Sequence, residues 1–262
     1  MERMMLALTG GERPVRTLGE GPTVLCLNGL TQTTANWTGF ARRLAPLGYR
    51  VVLTDLPGQG SVNPLPKGGP REQAHALIQL LDAMALDRCH VLGFSFGGRV
   101  AQELLNIVPH RMDRCIFVST SLRRSSAADL VVQGWLDALE SAGVEGLAHH
   151  ALPWIIGDAL LKGDLDLIVR TTSRRNSVAG IRSLLVGLLD HTPPHLSEHE
   201  HRCLVVAGER DRFALSVDQK WAAAQLTLGA FIEIPNVGHT VPVEAPDALA
   251  KAVDDFLSQD TL

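Results

Sequence analysis

The chain has 262 residues, of which 45% are hydrophobic and 20% charged, and a formal net charge of −4. That length suits one large domain, or a core with an inserted subdomain, with enough apolar material for a core that needs no staples. The slight acidity argues against a general attraction to nucleic acid or anionic membrane, and no apolar run approaches a membrane span in length.

The opening "MERMMLALTGGERPVR" has a short apolar patch with acidic residues around it and no stretch of signal length, so a cytoplasmic protein is expected. "MMLAL" and "RPVRTLG" suit an antiparallel hairpin through the "GGE" turn. From there β-rich runs alternate with helical patterns. "TVLCLNG" reads as a strand and "NWTGFARRLAPLG" as a helix ending at Gly48. "YRVVLTDLPG" is a strand, "PREQAHALIQLLDAMAL" an amphipathic helix with Pro70 near its start, and "CHVLGF" a strand. "GGRVAQELLNIVP" is a helix and "CIFVSTS" a strand. After a long interval come the strand "CLVVAG", the helix "SVDQKWAAAQL", the strand "AFIEIPN" and the helix "APDALAKAVDDFL". Such alternation predicts an α/β fold, a mostly parallel sheet with helices on both faces. Cys26, Cys89, Cys115 and Cys203 fall on separate strands without zinc-site spacing, which predicts buried free thiols and no metal.

The interval breaks the alternation. Its segments "ADLVVQGWLDALESAG", "GLAHHALPWIIG", "DLDLIVRTT" and "VAGIRSLLVGLLDH" all read as helices. The expectation is a core of residues 1–121 and 202–262, with a helical cap at 122–201 over one end of the sheet, where a substrate pocket forms. "HTPPHLSEHEHR" is rich in histidine, but Pro193 and Pro194 break any helix and no H-E-x-x-H spacing occurs. It reads as a solvated linker from cap to core.

"VLGFSFGGRV" carries the chemistry. Ser95 lies between Gly93 and Gly97, at the turn from a strand into a helix. This G-x-S-x-G pattern, in strand–turn–helix context, is a nucleophile elbow. The turn holds the hydroxyl clear of the sheet, side chains at 93 and 97 would collide with backbone, and the helix start aims N–H groups at an oxyanion. Asp211 follows the strand "CLVVAG", and His239 follows "FIEIPN" after Gly238. Each residue alone has a bland reading as a turn former or a solvated imidazole. Together, in the order Ser…Asp…His and each beyond a strand end, they form a nucleophile, acid and base. Glu209 is the rival acid, ranked lower because Asp211 fits the G-x-x-D placement.

With "LNGLTQ", "DLPGQGS", "GFSFGG", "GERDRF" and "NVGHTVPVEAPD" in this order, the chain resembles the α/β-hydrolases over nearly its whole length. The resemblance implies a cofactor-free serine esterase working through an acyl-enzyme. Its oxyanion donors would be the backbone N–H groups of Leu30 and Phe96. Asn28-Gly29 departs from the His-Gly that many members carry. A serine at the elbow disfavours the aspartate-nucleophile dehalogenases and epoxide hydrolases. "LNGLTQTTANW" is similar to a segment of the bacterial 3-hydroxyacyl acyltransferases.

The expected substrate is a small carboxylic ester or thioester. Acyl transfer to an alcohol or thiol is the alternative, and a non-catalytic binding protein of the same fold is a third reading, which three intact catalytic side chains oppose. Carbon–carbon bond hydrolysis uses the same triad. Trp37, Trp135, Trp154 and Leu185 are the pocket candidates, each with core or cap packing as its competing role.

Overall fold

The computed structural model describes residues 1–8 and 11–259. Among these residues, eight strands form one sheet: β1 (Glu2–Leu8), β2 (Gly11–Leu18), β3 (Thr23–Leu27), β4 (Arg50–Thr54), β5 (Cys89–Phe94), β6 (Met112–Val118), β7 (Arg202–Gly208) and β8 (Leu228–Ile234). Their spatial order is β1-β2-β4-β3-β5-β6-β7-β8. β3 to β8 are all parallel, while β2 runs antiparallel to both β1 and β4. The predicted hairpin is present as the β1–β2 pair. Gly10 of its expected turn lies outside the described residues.

The inner strands are buried on both faces, so they read as unbroken apolar runs such as "TVLCL" and "RCLVVAG". The edge strand β1 instead alternates between exposed and half-buried residues. α1 (Thr38–Leu44) and α10 (Pro246–Leu257) cover one face, where Phe40, Leu44, Leu249 and Phe256 pack against Val24, Val51 and Leu92. α2 (Pro70–Ala83) and α3 (Phe96–Ile107) cover the other, with Leu77, Leu80, Val100 and Leu104 against Leu25, Val52 and Val91. All four cysteines are free and buried, and Cys115 lies opposite Cys203 on neighbouring strands.

Between β6 and β7 the chain forms α4 (Ser126–Ile155), α5 (Asp158–Leu161), α6 (Leu165–Arg175) and α7 (Val178–Leu189). α4 is two helices in one, because Ala142 and Gly143 (φ 67°) leave helical geometry. The break falls at the "SAG" that ends the first amphipathic stretch. Leu136, Leu139, Ile181 and Leu184 join the same apolar cluster as α2 and α3, so these helices share the core's packing.

The histidine-rich stretch departs from the solvated-linker expectation. His191 is almost fully buried and its Nε2 meets Glu103 Oε1 at 2.8 Å, while His201 Nε2 meets the Pro109 carbonyl at 2.9 Å. The prolines stop helix formation, yet Leu196 is buried and draws the segment onto α3 and its flanks. No cluster of metal-ligating side chains occurs among the described residues. Among them, too, no helix is long and apolar enough to cross a membrane. After β7 come α8 (Ser216–Ala224) and, beyond β8, the short α9 (Val241–Glu244).

Candidate active site

The site is built at the carboxyl ends of β5, β7 and β8. β5 stops at Phe94 and α3 begins at Phe96, leaving Ser95 at φ 53° and ψ −114°. A non-glycine residue there costs about 1–3 kcal/mol and persists only where its surroundings force it. The surroundings are tight. A Cβ at Gly93 would lie 2.4 Å from the Gly97 carbonyl oxygen, and one at Gly97 would lie 2.4 Å from that of Leu27. The Ser95 N–H donates to the Val118 carbonyl at 2.9 Å, and the Ser95 carbonyl accepts from Gly98 N–H at 2.9 Å.

The structure brings Ser95, Asp211 and His239 together. His239 Nε2 is 2.8 Å from Ser95 Oγ, and His239 Nδ1 is 2.8 Å from Asp211 Oδ2. Asp211 Oδ1 accepts the N–H groups of Phe213 at 2.9 Å and Ala214 at 2.8 Å. A carboxylate so held only accepts, so it selects the imidazole tautomer with its proton on Nδ1. The Nε2 lone pair then faces the serine hydroxyl. The rings of Phe94 and Phe213 lie 5.2 and 5.5 Å from the imidazole and limit its rotation. Glu209 is exposed, and its Oε2 accepts the Asn236 N–H at 2.7 Å instead.

Opposite Ser95 lies the loop after β3. Neither the Leu30 N–H nor the Phe96 N–H has an acceptor among the described residues, and Phe96 opens α3 with no carbonyl four residues back in the helix. The loop is pinned by side chains that the sequence reading passed over. Gln59 Nε2 donates to the Gly29 carbonyl at 2.7 Å, and Gln59 Oε1 accepts from Asn28 Nδ2 at 3.0 Å. Asn28 Nδ2 also reaches Asp55 Oδ1 at 3.1 Å, and that oxygen accepts the Thr34 N–H at 2.6 Å. Burial pushes the Asp55 carboxyl up, and the Thr34 N–H and Asn28 pull it back. Glu244 was also missed. Its Oε2 accepts the N–H groups of Gly238 at 3.0 Å and Gly157 at 3.1 Å, and its Oε1 accepts that of Thr240 at 3.1 Å. One carboxylate thus grips the chain on both sides of His239 and ties it to the loop before α5. The signals lay in "DLPGQGS" and "GHTVPVEAPD", as a glutamine between glycines and an acid five residues beyond the histidine.

A cavity of about 270 Å³ opens on Ser95 and His239. Its walls are the second half of α4 (Leu147, Ala151, Leu152, Ile155), α6 (Leu167, Ile168, Thr171), Leu30 and Trp135. Of the pocket candidates, only Trp135 lines it. Trp37 is fully buried and packs edge-on against Phe40, 5.6 Å away on the α1 side of the sheet. Leu185 is fully buried in the packing of α7 on the core, and Trp154 is 41% exposed on the outer side of α4. Helical spacing carries Trp154 away from the cavity, since neighbouring positions point to different sides, and Leu185 lies on a helix that contributes nothing to the cavity wall.

The sequence matches the model described as "Alpha/beta hydrolase family" over residues 24–252. It is 33% identical over 258 residues to the 2-hydroxy-6-oxononadienedioate/2-hydroxy-6-oxononatrienedioate hydrolase of Cupriavidus pinatubonensis (strain JMP 134 / LMG 1197), covering 90% of this chain and 86% of that one. It is 26% identical over 259 residues to the 2-hydroxy-6-oxo-6-phenylhexa-2,4-dienoate hydrolase of Comamonas testosteroni, covering 92% and 89%. The crystal structure of a hydrolase from Pseudomonas aeruginosa PA01 superposes with a TM-score of 0.86 at 25% identity, over 98% of each chain. With the family match running from β3 into α10, and relatives named as hydrolases along most of its length, this chain belongs to the alpha/beta hydrolase family.

Proposed function

We propose that the protein is a serine hydrolase that cleaves a carboxylic ester or thioester with an apolar acyl group. The observation that carries the reading is the unbroken chain of hydrogen bonds from Ser95 through His239 to Asp211, 2.8 Å at each link. His239 takes the hydroxyl proton as Ser95 Oγ attacks the carbonyl carbon. Asp211 holds the tautomer and stabilises the imidazolium that forms. The N–H groups of Leu30 and Phe96 receive the negative charge that develops on the carbonyl oxygen. The imidazolium returns its proton to the leaving oxygen or sulfur, and water then attacks the acyl-enzyme by the same steps reversed.

Residues 122–201 act as a cap over a core of residues 1–121 and 202–262 and set the choice of acyl chain. The apolar walls that α4 and α6 supply to the cavity support this role. Wild type and Ser95→Ala should be treated with a fluorophosphonate and assayed on p-nitrophenyl esters of rising chain length. Labelling of wild type alone, with a loss of turnover of at least about a thousandfold in the variant, is expected. Near-normal turnover in folded Ser95→Ala refutes the nucleophile.

The names of the relatives favour a second reading, hydrolysis of a 2-hydroxy-6-oxo dienoate by the same serine. Absorbance decay of such a dienoate, compared with ester turnover, distinguishes the two.

A further inference from the structure

Ser95 borders two cavities of opposite character. Beside the apolar one lies a second, of about 60 Å³, lined by Ser95, Phe96, Arg99, Ser119, Arg124 and Ser125, among others. The ring pair Trp135 and Phe213, tilted by 37° with 4.7 Å between ring centres, puts one ring on each cavity.

Arg99 stands four residues beyond Ser95 on α3, hence on the same side of the helix. Its Nη2 donates to the Arg123 carbonyl at 2.6 Å, but its Nη1 is buried and has no partner among the described residues. Burial draws the guanidinium down to about 10, which leaves it charged at neutral pH. Ser119, at φ 48°, has a buried Oγ that also lacks a partner among the described residues. Arg124 is committed elsewhere, with Nε to Asp129 Oδ2 at 2.7 Å and Nη2 to the Leu189 carbonyl at 2.8 Å. The Arg124–Asp129 pair is therefore a neutral wall, and the charge of Arg99 is the one left over. Ser125 accepts the Ala128 N–H at 3.4 Å and keeps its own proton to donate.

A buried guanidinium nitrogen without an acceptor is costly, and an apolar group in this cavity would leave Nη1 so. A water occupies about 30 Å³ of liquid, so the space suits something on the order of two water-sized groups. A carboxylate has that size, two acceptor oxygens and the matching charge. We propose that this cavity is a carboxylate subsite on the leaving-group side, and that the enzyme prefers esters joining an apolar acid to a small hydroxy acid. The assignment of sides follows from size, since only the larger cavity holds an acyl chain. It rests on the reading of Ser95 as nucleophile. For R–CO–O–CH2–COO⁻, the Ser95 Oγ–C bond forms and the C–O bond to the glycolate breaks. The proton taken by His239 passes to the glycolate hydroxyl, and water releases R–COOH.

The test uses O-butyrylglycolate and its neutral analogue O-butyrylglycolamide, which differ in charge and little in size. Wild type should show a kcat/KM at least tenfold higher for the glycolate. Arg99→Met should bring that ratio near unity, and Arg99→Lys should restore part of it. Calorimetry with Ser95→Ala reads the same preference as Kd, without catalysis. Equal Kd values for the two compounds mean that the cavity holds only water, and they overturn the subsite even if Ser95 is the nucleophile. A retained glycolate preference in binding, with no fluorophosphonate label on Ser95 in wild type, sinks the nucleophile and leaves the subsite standing.

Discussion

Replacing Gln59 by leucine tests how the loop opposite Ser95 is held. Gln59 is fully buried, and leucine nearly keeps its volume while removing every polar contact. Lost are the bonds from Nε2 to the Gly29 carbonyl at 2.7 Å and the Leu30 carbonyl at 3.3 Å. Lost as well are those that Oε1 accepts from the Leu56 N–H and Asn28 Nδ2, both at 3.0 Å. The Leu56 N–H is then left unpaired at a buried position, while the Gly29 carbonyl keeps the Gln32 N–H at 3.1 Å. At about 1–3 kcal/mol for an orphaned group, unfolding should become easier by about that amount. The rate should suffer separately. The Gly29–Leu30 peptide carries the N–H proposed to meet the oxyanion, and Gln59 fixes its orientation. Deleting such a donor costs about 10²–10³ in kcat, and a misaimed one should fall near the lower end, about a hundredfold. Because the oxyanion exists only along the reaction path, KM should change little. Steady-state kinetics on p-nitrophenyl butyrate and urea unfolding read the two effects. Gln59→Glu keeps an acceptor for Leu56 and sets an oxygen against the Gly29 carbonyl. It should show the same kcat loss if leucine prevents folding. Variants that unfold earlier yet turn over normally would show that the peptide is held without Gln59.

Asp211→Asn should lower kcat by about 10⁴, since an amide favours the wrong tautomer, while Glu209→Gln should retain most activity. The reverse pattern in steady-state kinetics would make Glu209 the orienting acid. Leu152→Trp, which fills part of the apolar cavity, should lower the ratio of kcat/KM for octanoate over acetate esters, whereas Trp154→Ala, outside it, should not. Equal effects of the two would mean that the cavity does not receive the acyl chain. Burial raises the Asp55 carboxyl, so the folded chain holds that proton more tightly than the unfolded chain. Its stabilising contribution is therefore complete below the ordinary carboxyl value of about 4 and declines as pH rises through the raised value. Relative to Asp55→Asn, the wild-type unfolding free energy should fall across that window and then level off. A difference independent of pH in chemical denaturation would refute the burial argument.

The sheet and the Ser95 elbow were legible along the chain because their causes are local. Strands buried on both faces must be apolar throughout, so "TVLCL", "CHVLGF" and "RCLVVAG" announce themselves. A turn that allows no Cβ on either side of the serine needs glycine at 93 and 97, and the spacing records it. The placing of Asp211 and His239 beyond strand ends was readable for the same reason, since a parallel sheet gathers those ends at one edge. What a helix does with its other faces is not local. Trp135, Trp154 and Leu185 look alike as large apolar residues in helical stretches. Only the break at Ala142–Gly143 and the packing of α7 on the core decide that the first meets the cavity and the others do not. Gln59, Glu244 and the His191–Glu103 pair act through partners that, but for Gln59's bond from Leu56 and Glu244's contacts beside His239, lie about 30 to 90 residues away in sequence. Arg99 reads from the sequence as an ordinary polar position on α3. Its Nη1 is unpaired while Asp129, whose charge reaches it, is hydrogen-bonded to Arg124, an arrangement that exists only once α4 has folded back beside the elbow.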